Sequence, residues 1–197
     1  MRKLFLLSVF LLSATLVFAE FTVGIKVGYN ASKLSTSLDT ISTSFKSGFQ
    51  VGAFVRIGKR VYFQPEVYYT TQGGVFSSNL YDWKQNIKLG SLDVPALIGF
   101  KIINHDKLNL RILAGPVASF IVNKTIEETG VVINPITNAD INSVNWYIQA
   151  GAGLDLWKFT LDVRYQIGLN QLIKDVQTVS YNTHNNVWVV SLGFKIF

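Results

Sequence analysis

The sequence predicts an all-β fold, an eight-stranded antiparallel up-and-down transmembrane β-barrel that follows a cleaved signal peptide. Three observations predict it. The 197-residue chain is 49% hydrophobic but only 15% charged, whereas an average soluble protein is about 25% charged. Apolar and polar residues alternate with a period of two along most of the chain, and short turns alternate with long polar links. The length suits one domain of ordinary size.

The first 19 residues have the features of a secretory signal. Arg2 and Lys3 precede an apolar run that ends at Val17-Phe18-Ala19, the small-residue spacing that signal peptidase recognises. We predict cleavage after Ala19, so that residues 1–19 are the signal peptide and residues 20–197 form the barrel domain. The alternative is a membrane anchor, which needs about 20 apolar residues.

Eight segments alternate apolar and polar residues. In 21–30, for example, Val23, Ile25 and Val27 share one face, and Lys26 lies on the other. The predicted strands are 21–30, 47–57, 61–70, 92–102, 108–120, 146–156, 159–170 and 188–196. Each is long enough to cross a bilayer at a tilt, which needs about 9–11 residues.

The connections between these strands alternate in length. Short turns are expected at 58–60, 104–107 and 157–158, and long polar links at 31–46, 73–90, 121–144 and 171–186. This is the layout of bacterial outer-membrane barrels, in which short turns face the periplasm and long loops face outward. In hydrocarbon each unpaired backbone group costs several kcal/mol, and an open sheet edge would expose a row of them. We therefore expect the first and last strands to pair.

The distribution of aromatic and charged residues indicates which face meets lipid. Aromatic residues fall at both ends of the apolar face, as expected at the two membrane interfaces. The outer girdle comprises Tyr29, Phe49, Tyr69, Phe120, Trp146 and Trp188, and the inner girdle Phe21, Phe63, Phe100, Phe159 and Phe194. The opposite face holds the charges, so we predict a lumen charge network of Lys26, Arg56, Glu66, Asp93, Lys101, Arg111, Asp155, Asp162 and Arg164, joined by Lys195.

Three prolines fall within the predicted strands. Proline cannot donate a hydrogen bond to the strand ladder. We therefore expect β-bulges or strand ends at Pro65, Pro95 and Pro116.

Four segments carry a resemblance to a known family. They are FQPEVYYTTQGG at 63–74, SLDVPALIGFKI at 91–102, GAGLDLWKFTLDVRYQIGLN at 151–170 and VSLGFKIF at 190–197. In this order they resemble the PorT-like outer-membrane β-barrel family of Gram-negative bacteria, over nearly all of residues 21–197. The resemblance implies a bacterial outer-membrane barrel and implies little about mechanism.

The lumen charges allow two functions. An eight-stranded barrel is just wide enough for side chains to fill it, and buried charges need partners. We therefore expect a structural plug formed by mutual ion pairing, and the alternative is a narrow porin or small-solute channel.

Enzymatic activity is the other alternative. A lipid-modifying outer-membrane enzyme would need a constellation such as His184 with Asp175 and Ser180, but no motif fixes their geometry. With no Cys and two His, we expect no catalytic site, no cofactor and no metal site. The net charge of +6 is spread along the chain, so no nucleic-acid partner is expected.

The long loops offer the remaining functional surface. Tyr81 and Trp83 are candidate contacts to an envelope or extracellular protein, because aromatic residues are favoured at interfaces. Alternatively they rest on the barrel rim among the outer-membrane lipids. The sequence thus predicts a non-enzymatic outer-membrane barrel with a structural or partner-binding role.

Overall fold

The computed structural model describes residues 20–35, 41–44, 46–78, 84–105, 107–129, 142–170 and 184–197. The predicted signal peptide, residues 1–19, lies outside the described residues, as do Tyr81 and Trp83. The cleavage after Ala19 and the loop contacts therefore stay predictions.

The described residues form nine antiparallel strand segments. These are β1 (Phe21–Ser35), β2 (Ile41–Ser44), β3 (Lys46–Gly58), β4 (Val61–Ser78), β5 (Lys84–Asn104), β6 (Leu108–Thr129), β7 (Val144–Leu156), β8 (Phe159–Gly168) and β9 (His184–Lys195). Among these residues there is no helix long and apolar enough to cross a bilayer.

The strands close into one barrel. Around the barrel the strands are ordered β1, β3, β4, β5, β6, β7, β8 and β9, and each pairs with its neighbours in this order. The pairing of β9 with β1 closes the barrel. The expected first-to-last pairing is present, with Val27 opposite Leu192. The short β2 pairs with the loop-side end of β4 and follows the line of β3, so the described strands form the eight-stranded barrel that the sequence predicts. That prediction is confirmed.

The two faces of each strand differ as the alternation requires. Along β8, exposed and buried residues alternate, with Leu161 and Val163 outside and Asp162 and Arg164 inside. The outer girdle residues are 37–56% exposed and the inner girdle residues 38–50% exposed, all on the outer surface. The aromatic bands therefore encircle the barrel at two levels with aliphatic side chains between them, as expected for a membrane-embedded surface.

Several strands are longer than the sequence analysis predicts. β4, β5 and β6 contain 18, 21 and 22 residues, about twice the length needed to cross a bilayer. They extend into links 73–90 and 121–144, which we expected to be loops. The period of two persists there, with Ile87 and Leu89 buried on the inner face and Ile87 paired with Ile126. This part of the wall therefore projects beyond the outer girdle.

The prediction of bulges or strand ends at the prolines was wrong. Pro65 pairs with Ala96, Pro95 with Val117 and Pro116 with Ile148. On its other side, each strand has no paired partner for two residues at or beside the proline. The pairing then continues in the same register. The irregularities of β5 with β6 lie elsewhere, at Gly90/Ser91 and Lys101/Ile103. Because neighbouring pairs on both sides hold the register, one missing donor does not end a strand.

The short turns adopt conformations that their residues permit. Gly58 has a φ of 126°, a backbone angle that glycine tolerates because it has no Cβ. Trp157 has a φ of 51° in the turn between β7 and β8. The described short turns, at 58–60 and 157–158, lie where the sequence predicts them.

Candidate functional site

The lumen is lined by alternate residues of every barrel strand, and it contains the nine charged residues predicted from the sequence. None of the nine is more than 5% exposed. Lys26 comes from β1, Arg56 from β3, Glu66 from β4, Arg111 from β6, Asp155 from β7, and both Asp162 and Arg164 from β8. These seven residues, which we call the lumen network, thus come from six strands and meet across the barrel.

Asp162 and Glu66 occupy the centre of the lumen network. The Lys26 Nζ lies 2.6 Å from the Asp162 carboxylate and 2.9 Å from that of Glu66. Arg164 contacts both acids, with nitrogen–oxygen distances of 2.8 Å to Asp162 and 2.5 and 2.8 Å to Glu66. Arg111 completes the cluster by donating to Asp162. Both central carboxylates are therefore shared by more than one cation.

Asp155 links the centre to the turn side of the lumen. It accepts from Arg56 at 2.6 Å and from Arg111 at 3.0 Å. Lys195 lies farther from the same carboxylate, at 3.9 Å. Arg111 thus bridges Asp155 and Asp162, and the lumen network is continuous. Each member is held from several directions, which offsets the cost of burying charge.

Two aromatic side chains on the inward faces of their strands support the cations. Lys26 Nζ lies 4.4 Å from the centroid of the Phe54 ring, and the Arg56 guanidinium carbon lies 4.9 Å from that of Tyr62. Both distances suit cation–π contacts. Both residues occupy the polar face in their strands' alternation, and this position in the sequence places them in the lumen. The cation–π contacts themselves appear only in the folded barrel.

One small residue makes room for the lumen network. A Cβ placed on Gly153 would lie 2.2 Å from Asp162 Oδ1 and 2.5 Å from the guanidinium carbon of Arg111. A side chain at this position would displace the central ion pairs. Glycine is therefore required here for space.

Lys101 and Asp93 lie in the lumen but outside the lumen network. The Lys101 Nζ is 3.3 Å from the carboxylate of Glu20 at the turn side. Asp93 accepts a 2.5 Å hydrogen bond from the Ser119 hydroxyl. The structure thus brings together seven of the nine predicted residues and places the other two apart.

Apolar residues fill part of the lumen beside β5 and β6. Leu97, Leu113 and Val117 are buried there, although the sequence analysis expected a polar inner face. Ion pairs therefore fill one part of the lumen, and apolar side chains fill the part beside β5 and β6.

The alternative catalytic constellation is not assembled in the described residues. The backbone of His184 begins β9 and pairs with Ser35, while Asp175 and Ser180 lie outside the described residues. Within the described part of the chain, no group of three or more His, Asp or Glu side chains could hold a metal ion.

A family model for the outer membrane protein beta-barrel domain matches residues 13–174. The chain belongs to this family. Its members' location and the barrel described above make this a transmembrane protein of the bacterial outer membrane.

Solved structures of similar fold accompany that match. OprG, an outer membrane protein of Pseudomonas aeruginosa, is 10% identical with a TM-score of 0.54, covering 89% of this chain and 95% of that one. Neisserial surface protein A is 13% identical with a TM-score of 0.49, covering 88% and 97%. The attachment invasion locus protein Ail of Yersinia pestis is 14% identical with a TM-score of 0.47, covering 90% and 99%. At these identities the likeness to OprG shows the fold alone. No curated protein matches the sequence.

Proposed function

We propose that this protein is a non-conducting, non-enzymatic barrel with a plugged lumen, and that it has a structural or partner-binding role in the outer membrane. The observation that carries the proposal is the lumen network, whose ion pairs cross the lumen between six strands. Glu66 on β4 and Arg164 on β8 are joined at 2.5 Å across the barrel. A solute path would have to break such contacts.

The size of the side chains supports the plug. Arg111, Arg164 and Tyr62 are among the largest fully buried side chains of the described residues, and all three point inward. Eight strands enclose a space that side chains can fill. These groups therefore occupy the cross-section that a pore would need.

The chemistry of the lumen acids supports the absence of catalysis. Glu66, Asp155 and Asp162 are each bound to at least two cations. A general acid or base must be able to reach a substrate proton, and these carboxylates are enclosed by their partners. We therefore propose that the lumen acids are structural.

The projecting wall supports partner binding on the outward side. β4, β5 and β6 carry the chain beyond the outer girdle, and the segment that contains Tyr81 and Trp83 connects β4 to β5. We propose that an envelope or extracellular protein contacts this region. The assignment to the PorT-like group stays a prediction. Photo-crosslinking from position 83 in intact cells should capture one defined protein, and capture of lipid alone would favour rim packing.

Single-channel recording in planar bilayers tests the plug. Wild-type protein should give no stable openings. Glu66→Gln should lower the unfolding temperature, because Arg164 and Lys26 lose a buried counter-charge, and it should still not conduct. Glu127→Gln is the matched control, since Glu127 lies on the exposed rim. Stable openings of the wild-type protein would contradict the plug.

Mass spectrometry of lipid A from a deletion strain tests the absence of enzymatic activity. A change in lipid A relative to the parent strain would contradict it.

A further inference from the structure

Asp93 differs from the other eight predicted lumen charges. Each of those eight has an oppositely charged partner within 4.0 Å. Within the described residues, no Lys or Arg comes this close to Asp93, which is 4% exposed. A buried carboxylate without a counter-charge is costly, so this position calls for an explanation.

Several residues that carry a hydroxyl group lie next to Asp93. Tyr68 on β4 and Ser119 on β6 lie directly across from it. Ser91 lies two residues away on the same face of β5 and pairs with Thr70. Three hydroxyl groups from three adjacent strands, those of Ser91, Thr70 and Ser119, therefore lie close to the carboxylate. We call this part of the lumen wall the oxygen patch. The Tyr68 hydroxyl faces Glu66 instead.

Two of these hydroxyls form no well-aligned hydrogen bond. The Thr70 and Ser91 hydroxyl oxygens are buried beside the Asp93 carboxylate, but they make no hydrogen bond of good geometry to the described residues. Ser119 donates to Asp93 at 2.5 Å. Such buried polar atoms normally bind something. Their oxygens are the kind of ligand that hard cations prefer.

The oxygen patch lies between two closed layers. Below it on β4, Glu66 belongs to the lumen network. Above it on β5, the next inward residues are the buried Leu89 and Ile87. The neighbouring Leu92 pairs with Tyr69 and Phe120 of the outer girdle, so the patch lies near the outward end of the membrane span. An occupant would thus be sheltered in the outward half of the lumen.

We propose that the oxygen patch binds one monovalent hard cation, with sodium as the abundant candidate. A single carboxylate supplies one negative charge, which one monovalent ion neutralises. Asp93 provides the charged ligand, and Ser91, Thr70 and Ser119 provide neutral oxygens. This proposal does not depend on whether the lumen conducts or on any partner of the loops.

Thermal unfolding of the detergent-solubilised folded protein tests the site. The midpoint is read from the change in tryptophan fluorescence in a non-ionic detergent, in sodium chloride and in N-methyl-glucamine chloride of equal ionic strength. Sodium at about ten times its dissociation constant should raise the wild-type midpoint by about 3–6 °C. Asp93→Asn should abolish this difference, whereas Glu127→Gln, which removes an exposed carboxylate, should retain it.

Three other results would overturn the proposal or its assignment to sodium. Equal wild-type midpoints in the two salts would overturn the proposal, as expected if the carboxyl is protonated or only hydrated. An Asp93→Asn protein that keeps the sodium effect would also overturn it. If this variant fails to fold, Thr70→Val serves in its place, and its midpoint should need about tenfold more sodium to rise. A shift produced by calcium chloride and not by sodium would overturn the assignment to a monovalent ion.

Discussion

The two faces of β8 show how one strand serves two environments. Its inward residues Asp162 and Arg164 are almost fully buried among charges, while its outward residues Leu161 and Val163 are 44% and 43% exposed. In a soluble barrel the apolar residues would be inside. Here the inner face is stabilised by specific ion pairs and the outer face by contact with lipid. The inner face therefore depends on individual partners, and the outer face depends on the apolar character of each residue.

The largest effect is expected on the inner face, at its most connected carboxylate. Asp162→Asn removes the charge that Lys26, Arg111 and Arg164 share. Breaking a buried ion pair by removing one partner costs about 3–5 kcal/mol, so the free energy of unfolding should fall by about this amount in a denaturant titration in lipid vesicles. An unchanged midpoint would mean that the central cluster does not stabilise the barrel.

A slightly smaller effect is expected on the outer face. Val163→Arg places a charge on the lipid-facing surface, where Arg near the bilayer midplane costs about 2–4 kcal/mol. Val163→Leu is the control and should change stability little, since any apolar side chain suits lipid. Equal stability of the two variants would contradict the assignment of this face to the bilayer.

The smallest effect is expected where neither environment applies. Lys88 and Glu127 form an ion pair on the rim, each with about half of its side chain exposed. Exposed ion pairs contribute about 0.2–1 kcal/mol. Lys88→Gln should therefore lower the free energy of unfolding by no more than this, measured in the same titration. If Lys88→Gln lowered the free energy of unfolding as much as Asp162→Asn does, burial in the lumen would not explain the strength of the ion pairs there.

The alternation in the sequence predicted the division of residues between these faces. Lys26 and Arg164 were predicted to point inward because each lies between apolar neighbours, and period-two geometry leaves no other orientation. The same pattern failed at 73–90 and 121–144, where polar composition concealed alternation that backbone pairing could still use. Pro65 was also misjudged, because propensity treats one residue in isolation while a ladder is held by many pairs.

The sequence could not predict which charged residues form ion pairs with one another. Glu66 and Arg164 are 98 positions apart, and no local pattern states which inward acid meets which inward base. Nor could spacing show that Gly153 leaves room for Asp162 and Arg111, or that no Lys or Arg of the described residues pairs with Asp93.

Alternation and strand length along a single chain are enough to predict the barrel class, the number of strands that close it, the lipid-facing surface and the two aromatic girdles. Which charges meet, how far the wall projects and where the oxygen patch lies became visible only in the folded barrel. Strand register and barrel closure set the distances between residues remote in sequence, and those distances fix the partner of each buried charge.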